Sequence, residues 1–216
     1  MRKLLLLSAV LIFGFASCSC DNFDENNLDL VTDVGVVIDG IRWATRNVDA
    51  PGTFAATPEC AGMLFQWNKR RGWNATSETV EGWDNNFPLY SDIVWEAVND
   101  PCPAGWRVPT SEELALLVWR GNVHSGEWTV QNGTVGLLFG VAPYQIFLPA
   151  AGYRWGGMLR GVGDRGLYWG NASSGNSGGV MLWFGGVRPV EYRDEDMGVG
   201  TSSRHMGYSI RCVAVE

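Results

Sequence analysis

The sequence predicts an α+β domain in which short strands far outnumber helices. Glycine supplies 28 of the 216 residues and tryptophan 11, while charged residues make up only 18%. That balance suits glycine turns between strands, with large rings filling the layers between them. Short apolar runs recur between Gly and Asn clusters, which is the punctuation of strands. Only one segment carries a full set of helix start and stop signals.

In chain order, Val34 to Val37 and Ile41 to Ala44 flank Asp39-Gly40. Asp-Gly supplies the positive φ angles of a type I′ turn, so a hairpin opens the domain. Gly62 to Trp67 is a short apolar strand. In Asp100-Pro101-Cys102-Pro103-Ala104-Gly105-Trp106-Arg107-Val108-Pro109, the prolines and the glycine fix an irregular approach to a helix. Thr110 and Glu113 have the spacing of a capping box. The helix runs from about Ser111 to Arg120, with Leu114, Leu117 and Val118 on one face and Gly121 as its stop. Tyr144 to Tyr153, Gly166 to Asn171, Val180 to Phe184 and Gly207 to Ala214 read as strands. A mixed or antiparallel sheet is expected, folded back so that its first and last strands are neighbours. No repeat or low-complexity linker divides residues 36–216, a length that suits one domain with a substantial core.

The first 35 residues read differently. Arg2-Lys3 precedes an apolar and small-residue run from Leu4 to Phe15 that is too short to span a bilayer, so residues 1–17 read as a signal peptide. The run ends in Phe15-Ala16-Ser17-Cys18, which resembles a bacterial lipobox, whose cysteine is acylated after cleavage. Cys20 is a second candidate, but its −3 position holds Ser17 where an apolar residue belongs, so Cys18 is the expected lipidation site. No other apolar stretch approaches spanning length, so the mature chain is expected to be anchored and not threaded. Residues 18–35 are rich in Asp and Asn without apolar periodicity, a solvated tether. An acidic tract after a lipobox also resembles the surface-export signal of Bacteroides-type lipoproteins, so an outer membrane lipoprotein exposed at the cell surface is expected. Loss of residues 1–17 leaves 14 basic against 23 acidic residues. The net charge of about −9 argues against nucleic acid as a partner.

Two segments carry a family resemblance, the block Cys102-Pro103-Ala104-Gly105-Trp106-Arg107-Val108-Pro109-Thr110 and the closing Arg211-Cys212. They resemble the Fibrobacter succinogenes major paralogous domain, written there as Cys-Pro-x-Gly-Trp-Arg-x-Pro-Thr with a terminal Arg-Cys. Val37 to Val48 resembles that family's opening hairpin and Gly62 to Trp67 its first core strand. Leu148 to Arg154 and Gly166 to Ser174 resemble its later strands. The resemblance implies a C-type lectin-like fold and pairs Cys102 with Cys212, which suits an oxidising envelope compartment. A weaker likeness to formylglycine-generating enzymes rests on Trp106 to Thr110 and Arg211. Those enzymes use a cysteine pair late in the chain, and here only Cys212 follows Cys102, so their activity is not carried over.

The remaining chemistry is sparse. Cys60 has no evident mate, since Cys20 reaches it only if the tether folds back, so a free, partly buried thiol is expected. With only His124 and His205 as histidines and no CxxC or HxxxH spacing, a Cys/His metal site is not expected. Gly175-Asn176-Ser177-Gly178-Gly179 matches G-x-S-x-G, but strand residues follow where a nucleophile elbow needs a helix. A hydrolase would have to draw on Ser177 and His205. Gly161-Val162-Gly163-Asp164-Arg165-Gly166 matches G-x-G-x-x-G, and again a strand follows, so a hairpin turn is expected. No catalytic residue is assigned and no enzymatic activity is expected. Glu191, Asp194 and Asp196 form the densest acidic cluster and are weak candidates for calcium. The Glu-Pro-Asn type tripeptide of calcium-dependent lectins is absent.

Trp73, Trp83, Trp128 and Trp155 lie among polar or glycine residues, unlike Trp67, Trp106 and Trp119, whose contexts look buried. They are the candidate ligand-binding residues, because an exposed indole stacks on a sugar ring or anchors a protein interface. Their loops, residues 70–88 and 121–133, are the expected binding surface. The sequence therefore suggests a lipid-anchored adhesion domain whose ligand is a glycan or a surface protein. The competing reading is an accessory or tip subunit of a surface fibre or envelope complex.

Overall fold

A computed structural model describes residues 32–85, 94–118, 127–185 and 197–216. The described residues are strand-rich, with 47% strand and 7% helix. The first strands are β1 (Val36–Ile38), β2 (Ile41–Trp43), β3 (Met63–Gln66) and β4 (Gly72–Asn74), followed by β5 (Trp106–Arg107) and the helix α1 (Ser111–Val118). Next come β6 (Glu127–Gln131), β7 (Thr134–Val141), β8 (Tyr144–Pro149), β9 (Tyr153–Trp155) and β10 (Met158–Arg160). The last five are β11 (Arg165–Ser174), β12 (Gly178–Gly185), β13 (Met197–Ser203), β14 (Gly207–Tyr208) and β15 (Val213–Ala214).

Among the described residues the strands form four sheets, ordered β1-β2-β15-β5, β10-β9-β14-β3-β4, β11-β12-β13 and β6-β7-β8. The first and last strands share one sheet but are not neighbours, which corrects the expectation: β15 pairs with β2, through Val213 opposite Trp43, and β1 lies beyond β2. Of the two expected arrangements, the antiparallel one is found. Every pairing between named strands is antiparallel, and parallel contact is confined to the bridges Gly152–Gly166 and Tyr168–Ser209. Three predicted boundaries also move. The run from Tyr144 to Tyr153 stops at Pro149 and resumes at Tyr153, past Gly152, whose φ of +72° leaves the strand region and where a Cβ would strike the Arg160 carbonyl. The last predicted strand splits into β14 and β15. The helix is described to Val118, and Arg120 and Gly121 lie outside the described residues.

Local chemistry explains the elements that were foreseen. Asp39 and Gly40 have φ angles of 55° and 81°, which both central positions of a type I′ turn require. At the start of α1 the capping box closes in both directions. Thr110 N–H donates to Glu113 Oε2 at 2.7 Å, and Glu113 N–H donates to Thr110 Oγ1 at 3.2 Å. Arg107 adds a two-pronged ion pair to Glu113 at 2.7 and 2.8 Å, the geometry in which charge-assisted bonds are strongest. The Asp100 carboxylate caps the proline-rich approach by accepting from Cys102 N–H and Val108 N–H at 2.8 and 3.0 Å.

Cys102 and Cys212 are joined by a disulfide across 110 residues. This covalent brace ties the approach to α1 to the residue just before β15. Cys60 is disulfide-bonded as well, which corrects the expectation of a free thiol there. Its partner lies outside the described residues, because Cys102 and Cys212 are paired with each other.

The sheet β11-β12-β13 separates two apolar cores. Alternation along its strands sends Tyr168, Leu182 and Phe184 into one core with Leu114, Leu117, Phe139 and Leu148. Trp169, Leu167 and Met181 face the other, with Phe65, Trp67, Tyr208 and Ile210. Two indoles stitch the second core together, Trp67 Nε1–H donating to Gly170 O at 3.0 Å and Trp169 Nε1–H to Phe65 O at 2.7 Å.

Candidate functional site

The four candidate tryptophans do not share a surface. Trp73 stands opposite Leu64 in the β3–β4 pairing and is buried, as is Trp83, their rings 5.5 Å apart. Trp83 lies against Gly207, where a Cβ would come within 2.6 Å of its ring. Both indoles cover the face of the five-stranded sheet that points away from the second core. Arg154 locks the chain between them by donating to the carbonyls of Asn74, Ser77 and Gly157, and its burial pushes its pKa below the ordinary arginine value. Trp128 is half-buried on the first core, edge-on to Phe184 at 5.7 Å. The structure therefore takes Trp73 and Trp83 out of solvent and leaves Trp155, at 50% exposure, as the open indole of the four.

Trp155 belongs to a larger open strip. Tyr153 and Trp155 share one face of β9, and the β9–β10 register places Arg160 opposite Tyr153 and Met158 opposite Trp155. The Arg160 guanidinium lies 5.0 Å over the Trp155 ring, and Met158 is 43% exposed. The turn at Gly161 links this strip to β11. A Cβ there would sit 3.4 Å from Tyr153 Cε1 and 3.5 Å from Arg165 Cβ.

Beyond that turn lies a cleft of about 170 Å³ lined by Arg165, Leu167, Met181, Trp183, Phe184 and Gly185. It is the open end of the second core's face of β11 and β12, where Leu167 stands opposite Trp183 and Arg165 opposite Gly185. Gly198 and Gly200 of β13 flank the indole. Cβ atoms at those positions would lie 3.3 and 3.5 Å from Trp183 Nε1, so larger side chains there would crowd the ring. Arg165 is 46% exposed and meets Asp164 at 3.7 Å. Tyr208 adjoins this end of the core. Its hydroxyl is 2.6 Å from Ser202 Oγ and its ring packs edge-on to Tyr153. Burial raises the Tyr208 pKa above the ordinary phenol value, against the opposing bond to Ser202, so the hydroxyl stays protonated and can donate at neutral pH.

Sequence reading missed Trp183, Arg165 and Met181. The signal was present in the alternation of Val180-Met181-Leu182-Trp183-Phe184, which puts Met181 and Trp183 on one face and Leu182 and Phe184 on the other. Naming the segment only as a strand left its two faces undistinguished.

The catalytic look-alikes resolve into turns. Ser177 is exposed in the hairpin turn between β11 and β12, and its carbonyl accepts from Arg204 N–H at 3.0 Å. The serine that His205 meets is Ser203, whose Oγ is 2.8 Å from Nδ1. Residues 161–166 turn β10 into β11, with the Asp164 and Arg165 N–H groups donating to the Gly161 carbonyl at 3.1 and 2.9 Å. Among the described residues no group of three His, Cys, Asp or Glu is placed to hold a metal. The calcium candidates Glu191, Asp194 and Asp196 lie outside the described residues, as do Cys18, Trp119 and the segment read as the signal peptide. No described helix is long and apolar enough to cross a membrane. No protein-family model, curated protein or solved structure matches the chain.

Proposed function

We propose that this chain is a lipid-anchored, cell-surface adhesion domain with a C-type lectin-like fold, related to the Fibrobacter succinogenes major paralogous domain, and that it binds a glycan without catalysis. The observation that carries the reading is the cleft beside Trp183 and Arg165, continued past Gly161 by the exposed Trp155. At about 170 Å³ it is smaller than the 300–1,000 Å³ in which proteins usually enclose small molecules. Shallow recognition of a sugar ring fits such a volume. The apolar face of a pyranose stacks on the Trp183 indole, and the Arg165 guanidinium donates to hydroxyl or carboxylate oxygens at its edge. The glycines at 198 and 200 keep the indole accessible from the β13 side.

Screening the lipid-free chain from Ser19 onward on a broad glycan array, with and without calcium, tests this reading. Binding that Trp183→Ala lowers at least tenfold, with an unchanged unfolding midpoint, is the expected result. Absence of binding to every glycan, together with co-purification of one envelope protein, would favour the accessory-subunit reading instead.

A further inference from the structure

We propose that Cys60 is disulfide-bonded to Cys20, so that the segment after the lipidated cysteine is a closed loop stapled to the domain and not a free leash. The inference rests on the lipoprotein reading of the first residues, and three observations lead to it.

The first is a cysteine count. The chain has five cysteines. Cys102 and Cys212 are joined to each other, and Cys60, only 2% exposed, is itself disulfide-bonded. Within one chain only Cys18 or Cys20 remains to close that bond.

The second is the chemistry of acylation. The sulfur of a lipidated cysteine is a thioether and cannot enter a disulfide. Cleavage before Cys20 would discard Cys18 with the signal peptide and consume Cys20 in lipid, leaving Cys60 without any mate in the chain. Cleavage before Cys18 consumes Cys18 and leaves Cys20 as a thiol. The oxidised state of Cys60 therefore selects Cys18 as the acylated residue and Cys20 as its partner. The same reasoning separates the two lipobox candidates independently of the side chain at −3.

The third is where the described chain joins the domain. Asp33 is buried, and its carboxylate accepts from Gly35 N–H at 2.9 Å, from Thr45 N–H at 2.8 Å and from Thr45 Oγ1–H at 2.9 Å. It also pairs with Arg46 at 3.5 Å. Arg46 Nη1 in turn donates to the Ala55 carbonyl at 3.4 Å, at the start of the loop whose Thr57–Cys60 turn carries the cysteine. One arginine thus bridges the point where the chain joins the domain and the loop that holds Cys60. The dozen residues from 21 to 32 reach up to roughly 40 Å when extended, so returning Cys20 to that loop needs no stretching.

The bond forms by thiol–disulfide exchange. The Cys20 and Cys60 thiols give up two electrons and two protons to a protein disulfide of the envelope, which leaves as its dithiol. In the product only Ser19 separates the acylated residue from the cross-link. The Cys60 side of the domain is then held at the membrane surface.

The test uses the full-length protein isolated from membranes and alkylated before any reduction, with peptides mapped by mass spectrometry without reductant. The expected result is a lipidated Cys18 and a Cys20–Cys60 linked peptide, with Cys20→Ser making Cys60 alkylatable while Cys102–Cys212 stays intact. Alkylation of Cys60 in the unreduced wild type overturns the proposal, and so does a bond from Cys60 to a second chain. If Cys18 is lipidated in either case, the lipoprotein reading survives. A Cys18–Cys60 bond without lipid overturns both. A cellular readout is independent of mapping. Cleavage at Glu25, the sole glutamate between Cys18 and Glu59, should leave the domain on the cell until a reductant is added, whereas in Cys20→Ser cleavage alone should release it. Release of the wild-type domain without reductant contradicts the staple.

Discussion

Arg211 and Asn47 stand 164 residues apart in sequence and share two hydrogen bonds in the core, Nε to Oδ1 at 3.0 Å and Nη2 to Oδ1 at 2.7 Å. The same guanidinium donates to the carbonyls of Ala44 and Phe147 at 3.2 and 3.0 Å, so one side chain joins the opening hairpin, β8 and the run into β15. Burial pushes its pKa down to about 10, which leaves it protonated at neutral pH. Replacing it by alanine strands three buried acceptors and leaves a cavity, an expected loss of about 3–5 kcal/mol. Urea unfolding should show this as a fall in midpoint without a change in slope. A variant within about 1 kcal/mol of wild type would mean that the carbonyls find water or new donors.

The Cys102–Cys212 bond closes a loop across 110 residues. In the chain-entropy account, a loop of that size stabilises by on the order of 4–5 kcal/mol through the unfolded ensemble. The double variant Cys102→Ala/Cys212→Ala should therefore unfold at much lower denaturant, and its refolding should slow as the long-range strand pairing loses its tether. Equal midpoints for the variant and the wild type would show that the antiparallel contacts around Val213 hold the strand alone.

Much of this brace was legible because its signals are local. Thr110 with Glu113, and Asp39 with Gly40, specify cap and turn through backbone chemistry that tertiary context rarely reverses. The β6–β7 hairpin carried an equally local signal in Asn132-Gly133, whose φ angles are 46° and 83°; treating that stretch as a binding loop passed over it. The tryptophans were harder to place for a physical reason. Polar neighbours in sequence do not keep an indole in water when the opposing surface is supplied from far away. Trp83 is buried by Gly157 and Gly207, and Trp73 by its pairing across β3. The cleft at Trp183 is lined from the two strands of one hairpin, and its walls meet only because the register sets Arg165 opposite Gly185 and Leu167 opposite Trp183. Cys60 was misjudged because a tether read as solvated was assumed to stay away from the domain, whereas its end is held by Asp33.

Glu113 gives the capping box a pH dependence. Burial acts to raise its pKa, but the Arg107 fork and the Thr110 bonds outweigh that and hold it below the ordinary carboxylate value. A carboxylate with a depressed folded pKa contributes stability that is present above its unfolded pKa and is lost as pH falls through the folded one. Asp100, which burial raises despite its backbone bonds, works in the opposite direction, so the comparison must be with a variant and not with pH alone. Glu113→Gln should cost about 1 kcal/mol at neutral pH. The wild-type advantage should then shrink steadily below the ordinary range of glutamate. Thermal midpoints of the two proteins that fall in parallel across that range would remove Glu113 from the acid response.

The G-x-G-x-x-G look-alike separates two reasons for glycine within four residues. Gly163 has a φ of +75° with open space where a side chain would begin. Alanine there meets only backbone strain, about 1 kcal/mol. Gly166 lies in β11 without a positive φ, and a Cβ on it would run into the Phe184 ring. That ring stacks on Tyr168 at 6.1 Å and meets Trp128 edge-on at 5.7 Å, so it cannot swing aside without disturbing the first core. Overpacking of this kind costs about 1–3 kcal/mol, and the larger end of that range is expected for Gly166→Ala. Phe184 also lines the cleft, so Gly166→Ala should weaken ligand binding while Gly163→Ala leaves it unchanged. Calorimetry ranking Gly163→Ala as the more damaging variant would show that the turn, and not the ring, sets the glycine requirement in this segment.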